Sequence, residues 1–145
     1  MADKEVDLDS LKVRLLGLRA SLDREVWTDI LRASVAAIVV DMESQYIVDS
    51  TSTADELFGY IEGELVGKPL DVLLPSHLRP THKENVKKFS DSPSNRTMGI
   101  GAALNIVGAK KVAVGKYEEI KLVISLRTKM IGEARCAVAI ITERF

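Results

Sequence analysis

The sequence predicts an α+β domain: two strands, then several short helices, then three more strands, with an amphipathic helix ahead of them. Three observations carry that prediction. Ile120, Leu122, Ile124 and Leu126 alternate with Lys121, Val123, Ser125 and Arg127, the period of a strand with one buried face. Ala36-Ala37-Ile38-Val39-Val40 and Tyr46-Ile47-Val48 flank a polar stretch from Asp41 to Gln45, the pattern of a hairpin. Between the two β regions, Gly59, Gly63, Gly67, Pro69 and Pro75 cut the chain into short pieces.

The chain has 145 residues, which fits one domain. Its 46% hydrophobic and 28% charged residues are ordinary for a soluble globular protein. A net charge of -1 gives no long-range pull toward nucleic acid or anionic lipid. Lys87-Lys88 and Lys110-Lys111 are isolated pairs, expected to be solvated surface and not a phosphate-binding face. The single cysteine, Cys136, excludes an internal disulfide and a multi-cysteine metal site, and suits a reducing compartment. No apolar run is long enough to span a bilayer, and Met1-Ala2-Asp3-Lys4-Glu5 is unlike a secretory leader. The expectation is a cytoplasmic protein with no nucleic-acid or membrane partner.

Residues 9–33 read as one amphipathic helix. Leu8, Leu11, Leu15, Leu18 and Leu22 recur in steps of three and four and form one stripe, while Lys12, Arg14, Arg19, Asp23 and Arg24 face water. Asp9 or Ser10 suits the N-cap. Gly17 weakens the interior by about 1 kcal/mol relative to alanine. Past Leu22 the apolar face rotates to Val26, Trp27, Ile30 and Leu31. A leucine stripe on a terminal element has to be buried, against a partner subunit or back over the chain's own sheet; the partner subunit is the expectation.

After the hairpin, residues 52–58 read as a short helix ended by Gly59, and residues 62–65 and 69–74 as further helical turns. Residues 76–89 read as a longer helix capped by Ser76, followed by a loop at 91–95. Met98, Ile100, Ala102, Leu104 and Ile106 give the next strand its alternation. Residues 134–141 are apolar on both sides at Val138, Ala139 and Ile140, as in a central strand covered on both faces.

Ala54-Asp55-Glu56-Leu57-Phe58-Gly59-Tyr60, Glu64-Leu65-Val66-Gly67-Lys68-Pro69-Leu70, Leu74-Pro75 and Leu78-Arg79-Pro80-Thr81-His82, running on to Phe89, resemble the helical half of a PAS domain. Arg96-Thr97-Met98-Gly99 and Ile141-Thr142-Glu143-Arg144 also fit. The resemblance covers residues 27–145 and is closest to PAS domains of bacterial sensor kinases, heme-binding oxygen sensors included. It implies a five-stranded antiparallel sheet with helices on one face, with residues 1–33 as a dimerisation or signalling helix and 34–145 as the PAS domain. It implies sensing or relay without catalysis, a homodimer through the leading helix, and a signalling effector or C-terminal output domain as partner. The implied cavity between helices and sheet is lined by Phe58, Leu74, His82, Val86, Met98, Ile100, Leu122 and Val138. In that family's pattern Leu57 and Phe58 plug the cavity side, and Gly59 permits a turn that a Cβ would obstruct.

The chain departs from the family in three places. Thr51 stands where an asparagine often precedes the first short helix. The usual Lys-Asp-Gly turn is replaced by Lys110-Lys111-Val112-Ala113-Val114-Gly115-Lys116. The terminal Asp-Ile-Thr becomes Ile140-Ile141-Thr142, without the aspartate that couples to a following helix.

His82 is the sharpest candidate for chemistry. On the expected helix it aligns with Leu78 and Val86, so its imidazole is directed at the apolar side. In heme-binding PAS domains a histidine on the matching helix ligates iron, and the stretch from His82 to Gly99-Ile100-Gly101 is similar in length. Heme b with His82 as axial ligand is therefore one reading. A structural histidine bonded to backbone or water is the other, preferred because Ala102 stands where those sensors carry an oxygen-stabilising arginine. Cys136 is in the last strand, not on the helical side where light-sensing relatives hold a reactive cysteine; it reads as a small buried hydrophobe. Non-covalent flavin and no cofactor at all stay open. His77 is expected to be solvated. Gly99-Ile100-Gly101 lacks a third glycine and opens a strand, so it is no dinucleotide fingerprint. Neighbours in the acidic pairs Asp55-Glu56 and Glu118-Glu119 do not face each other and read as solvated. No nucleophile has a partner motif, and the chain is expected not to be an enzyme.

Overall fold

The computed structural model describes residues 8–22, 35–80 and 107–143, with the backbone of 96–98. Helix α1 (Leu8–Ala20) comes first. Strands β1 (Ala36–Asp41) and β2 (Tyr46–Ser50) follow as an antiparallel hairpin. Helix α2 (Ser52–Leu57) and two single 3-10 turns, Leu70–Leu73 and Ser76–Leu78, make up the described helical half. Strands β3 (Arg96–Met98), β4 (Val107–Ala113), β5 (Lys116–Ile131) and β6 (Ala134–Glu143) complete it.

The strands form one antiparallel sheet in the order β2-β1-β6-β5-β3, with β4 also paired to β5. β3 and β4 occupy the same edge of β5 in succession: Met98 pairs with Ile124, and Val107 with Lys121. The sheet thus has five strand positions, and the last third of the chain joins the early hairpin through β1 and β6, as the resemblance implied. β6 is central, between β1 and β5, which is why its apolar run is unbroken.

Side-chain alternation divides the core in two. Ile38, Val40, Ala139, Ile141, Ile120 and Leu122 face one way and pack with Ala54, Phe58, Leu65 and Leu73 from the helical half. Val39, Val48, Ile131 and Cys136 face the other way and pack with Leu15 and Leu18 of α1. Every residue of β1 is buried because both faces are covered. Helices therefore lie on both faces: α2 and the 3-10 turns inside, α1 outside.

The segment after α2 spans the sheet. The Phe58 carbonyl accepts from Lys111 N at 2.9 Å on the edge of β4. Nine residues on, Gly67 N donates to Ile47 O at 2.8 Å, and Ile47 N to Lys68 O at 2.8 Å, along the free edge of β2. Both edges find partners in one strap of chain, which satisfies backbone groups that an open edge leaves unpaired.

Several boundaries differ from expectation. α1 stops at Ala20; Ser21 N and Leu22 N bond back to Leu18 O and Arg19 O, tightening the last turn. The rest of the expected helix, at 23–33, lies outside the described residues. Pro75, not Ser76, precedes the second 3-10 turn, and no side-chain bond caps it. Lys110 and Lys111, in the region of the family's usual turn, are inside β4; the turn is only Val114-Gly115, next to a bulge between Lys111 and Ala113. Lysine suits a strand whose end is solvated, and polarity alone does not separate that from a turn.

Candidate functional site

The inner layer is built around Phe58. Thr51 caps α2: its hydroxyl accepts from Ala54 N at 3.2 Å and from Ala37 N at 2.9 Å, and donates to Val35 O at 2.8 Å. One side chain thus starts the helix and ties it to β1, the position where the family often places asparagine. Asp55, read as solvated from its pairing with Glu56, is instead 1% exposed. Its carboxylate accepts from Ser50 Oγ at 2.8 Å and Gly63 N at 2.9 Å, fixing the turn after α2. These bonds aim Phe58, 1% exposed, between the helices and the sheet.

At that point the sheet carries Gly108. A Cβ there would lie 2.8 Å from Leu122 Cδ1, 3.0 Å from Phe58 Cε1 and 3.3 Å from Leu73 O. Phe58, Leu122 and the Leu73 carbonyl crowd the backbone of β4 at this one point. Phe58 and Leu122 both belong to the inner core at this point. Leu73, not Leu74, joins the inner core; Leu74 is half-buried at the end of its 3-10 turn. Val138 is turned away from the cavity. It pairs with Val39 and packs in the outer cluster with Leu15 and Leu18. A strand apolar on both sides gives no signal of which residue faces which layer. His82, Val86 and Ile100 lie outside the described residues, as does the side chain of Met98.

The outer layer holds the strongest electrostatics of the described chain. Asp41, at the end of β1, is fully buried. Arg14 of α1 grips its carboxylate with both prongs, Nε to Oδ2 at 2.6 Å and Nη2 to Oδ1 at 3.1 Å. Ser44 Oγ donates to Oδ2 at 2.8 Å, and Glu43 N to Oδ1 at 3.2 Å. Burial pushes the Asp41 carboxyl up, but the bonds from Arg14 and Ser44 and the Arg14 charge outweigh it and hold the group below its ordinary value. Arg14 Nη2 also reaches Glu43 Oε2 at 2.8 Å. One and a half turns on, Arg19 Nε stands 3.5 Å from Asp49 Oδ2. Sequence reading placed both arginines in plain solvent; only the pairing of strands brings acidic partners beneath them.

Leu15 and Leu18, expected to face a partner subunit, are buried on the chain's own sheet, with Leu11 and Leu22 packed beside them. Burying two such leucines is worth about 2 kcal/mol each. Leu8 is exposed. Val13 and Leu16 project from the opposite side of α1, 71% and 64% exposed.

Cys136 lies under α1 in the outer cluster, its thiol pushed up to about 11 by burial and the nearby Asp41 charge. It is on the face opposite Phe58 and Leu122, so it cannot bond to a group held in the inner cavity. His77 is solvent-exposed, its Nε2 3.8 Å from Glu119 Oε1. Among the described residues, no three His, Cys, Asp or Glu side chains converge as metal ligands. Among the same residues, no helix is long and apolar enough to cross a membrane.

No family model matches the chain. A stretch of 76 residues is 26% identical to the Oxygen sensor protein DosP of Escherichia coli (strain K12), covering 52% of this chain and 10% of that protein. Solved structures are similar over more of the chain. A PAS domain from Desulfitobacterium hafniense superposes with a TM-score of 0.59 at 8% identity, over 77% of this chain and 93% of that one. A PAS domain from a two-component sensor histidine kinase gives 0.58 at 12% identity, over 83% and 95%. A LOV protein of Rhodobacter sphaeroides gives 0.56 at 17% identity, over 88% and 64%. The curled antiparallel sheet, the short helices on its inner face and these superpositions define one architecture. This chain has the PAS fold.

Proposed function

We propose that this chain is a sensory or protein-interaction module without catalysis of its own, acting as a cytoplasmic homodimer that relays a signal to an effector. The observation that carries the reading is the PAS fold, with Phe58, Leu122 and Leu73 packed around Gly108 in its inner layer. Close packing around Gly108 suits relay through packing and helix position better than a large bound chromophore at that same spot. The dimer contact falls to the solvent side of α1, where Val13 and Leu16 are exposed, since Leu15 and Leu18 are engaged by the sheet. Light scattering tests it: the full chain is expected to be a dimer, and Leu16→Asp a monomer of unchanged fold. A monomeric parent chain would overturn the dimer.

A second reading has support in the similarity to an oxygen sensor. There the cavity takes heme, with His82 as the axial imidazole. Heme would supply reversible binding of a diatomic gas at its iron; the chain's part would be to hold and orient it. The absorption spectrum of purified protein supplemented with hemin decides between the readings. A Soret band abolished by His82→Ala supports heme, and a colourless sample removes it.

A further inference from the structure

We propose that the tip of the β4–β5 hairpin is a membrane-docking point: Val112 and Val114 enter the apolar layer of an anionic bilayer, and Lys110, Lys111 and Lys116 meet its headgroups. The inference goes beyond the relay reading and stands without it.

The tip breaks a local rule with no gain inside the fold. Two-residue hairpin turns favour Asn, Asp and Gly. Here the turn is Val114-Gly115, and Val114 is 92% exposed. Val112 and Tyr117, on either side of it, are each 53% exposed. A Cβ on Gly115 would meet nothing within 4 Å, so the turn projects from the body of the domain. The stem, by contrast, is fixed. Lys111 N donates to Phe58 O at 2.9 Å, and Lys111 Nζ lies 5.4 Å from the centre of the Tyr60 ring. A contiguous apolar apex held out on an anchored stem marks a contact surface.

Charge decides what the surface meets. The net charge of -1 gives no long-range pull, but it is unevenly spread: residues 110–117 hold three lysines and no carboxylate. Strand pairing sets Tyr117 opposite Lys111 and Lys116 opposite Ala113, so a third lysine joins the Lys110-Lys111 pair around the apex. None of the three lysines forms an ion pair with a described residue. Glu118 and Glu119 stand further down the stem, opposite Lys110 and Ala109, with Glu119 Oε1 3.8 Å from His77 Nε2. Glu64 of the neighbouring strap turns back to accept from Ile61 N at 3.2 Å. Valines ringed by lysines match a layer that is apolar within and anionic at its surface. The lysine stems lie along the apolar boundary while their ammonium groups reach lipid phosphates and carboxylates, and Tyr117 suits the headgroup level. Two copies meeting at their tips would instead set lysine against lysine.

Co-sedimentation of the full chain with vesicles tests the proposal. Binding to an equal mixture of phosphatidylcholine and phosphatidylserine is expected to exceed binding to phosphatidylcholine alone by about tenfold or more, and to fall as salt is raised. Val114→Asp and Lys116→Glu are each expected to weaken binding about tenfold, one through the apex and one through its collar. Met130→Ser alters a residue 54% exposed at the far end of β5 and is expected to bind as the parent does. A parent chain left in the supernatant by the mixed vesicles overturns the proposal. So does binding that Val114→Asp leaves unchanged, or binding that is equal on the two vesicle types. A parent that ignores vesicles but loses its dimer on Val114→Asp would give the tip to a second copy, which also overturns it.

Discussion

Gly59 and Lys111 meet backbone against backbone: a Cβ on Gly59 would fall far inside van der Waals contact distance of the Lys111 carbonyl oxygen. Gly59 also has φ +81°, in the region that side chains rarely adopt. Gly63 has the same φ but meets nothing within 4 Å. Gly59→Ala is therefore expected to destabilise by about 2–4 kcal/mol, and Gly63→Ala by about 1 kcal/mol. Urea denaturation of the two variants checks the difference; equal losses would mean that strain alone matters at Gly59.

Thr51 makes bonds to both α2 and β1 while only 2% exposed. Thr51→Val keeps the shape and leaves Ala37 N without that hydroxyl, with an expected loss of about 2 kcal/mol. Thr51→Ser retains the oxygen and is expected to stay within about 1 kcal/mol of the parent. Thermal melts of both separate hydrogen bonding from packing.

Gly108 is the tight point of the inner layer. Gly108→Ala is expected to cost about 1–3 kcal/mol by driving Leu122 or Phe58 off its position. In a Leu122→Ala background the Cδ1 that the new methyl would strike is gone, so the same substitution should cost less. A double-mutant cycle reads this coupling, and additivity would show that Leu122 is not the obstacle.

The Arg14–Asp41 pair gives acid sensitivity of a definite sign. The charged groups around Asp41 are Arg14 and Glu43, with the Cys136 thiol nearby and Ser44 as neutral donor. The folded-state carboxyl lies below its unfolded value of 3.8. Its contribution is then complete above that value and lost as pH falls through the folded one. Asp41→Asn is expected to lower stability by about 1–3 kcal/mol at pH 7, since Arg14 is partly solvated, and to flatten the fall between pH 5 and 2. Melting temperatures across that range check it; parallel curves would refute the assignment.

Leu18 and Leu16 stand two residues apart on α1 with opposite surroundings. Leu18→Ala is expected to cost about 2–3 kcal/mol of chain stability with the oligomeric state retained. Leu16→Ala is expected to change stability of the fold by less than about 0.5 kcal/mol and to weaken association. Denaturation and light scattering on the same samples distinguish them.

Strand identity was readable because alternation along β5 and the apolar run of β6 follow directly from burial on one face or two. Facing was not readable in β6: Val138 and Ala139 are equally apolar, and only pairing to β1 decides that Ala139 turns inward. Polar residues misled for a related reason. Asp41, Asp55, Arg14 and Arg19 look like solvent-facing charges in one dimension, and their partners are brought to them by strand pairing or chain reversal. The leucine stripe of α1 is buried at Leu15 and Leu18 and exposed at Leu8, and its periodicity is the same whether the covering surface is a neighbour or the chain's own sheet. Phe58 and Leu122 were legible as inner residues, whereas Gly108, which lets them close together, carried no sign of it.

The strap from Phe58 to Lys68 has a consequence for assembly. At Ile47 of β2 and Lys111 of β4 the strap takes up backbone groups onto which a foreign strand could otherwise graft. A second copy approaching those two points finds the groups already taken, which leaves the helices as the freer surfaces for association.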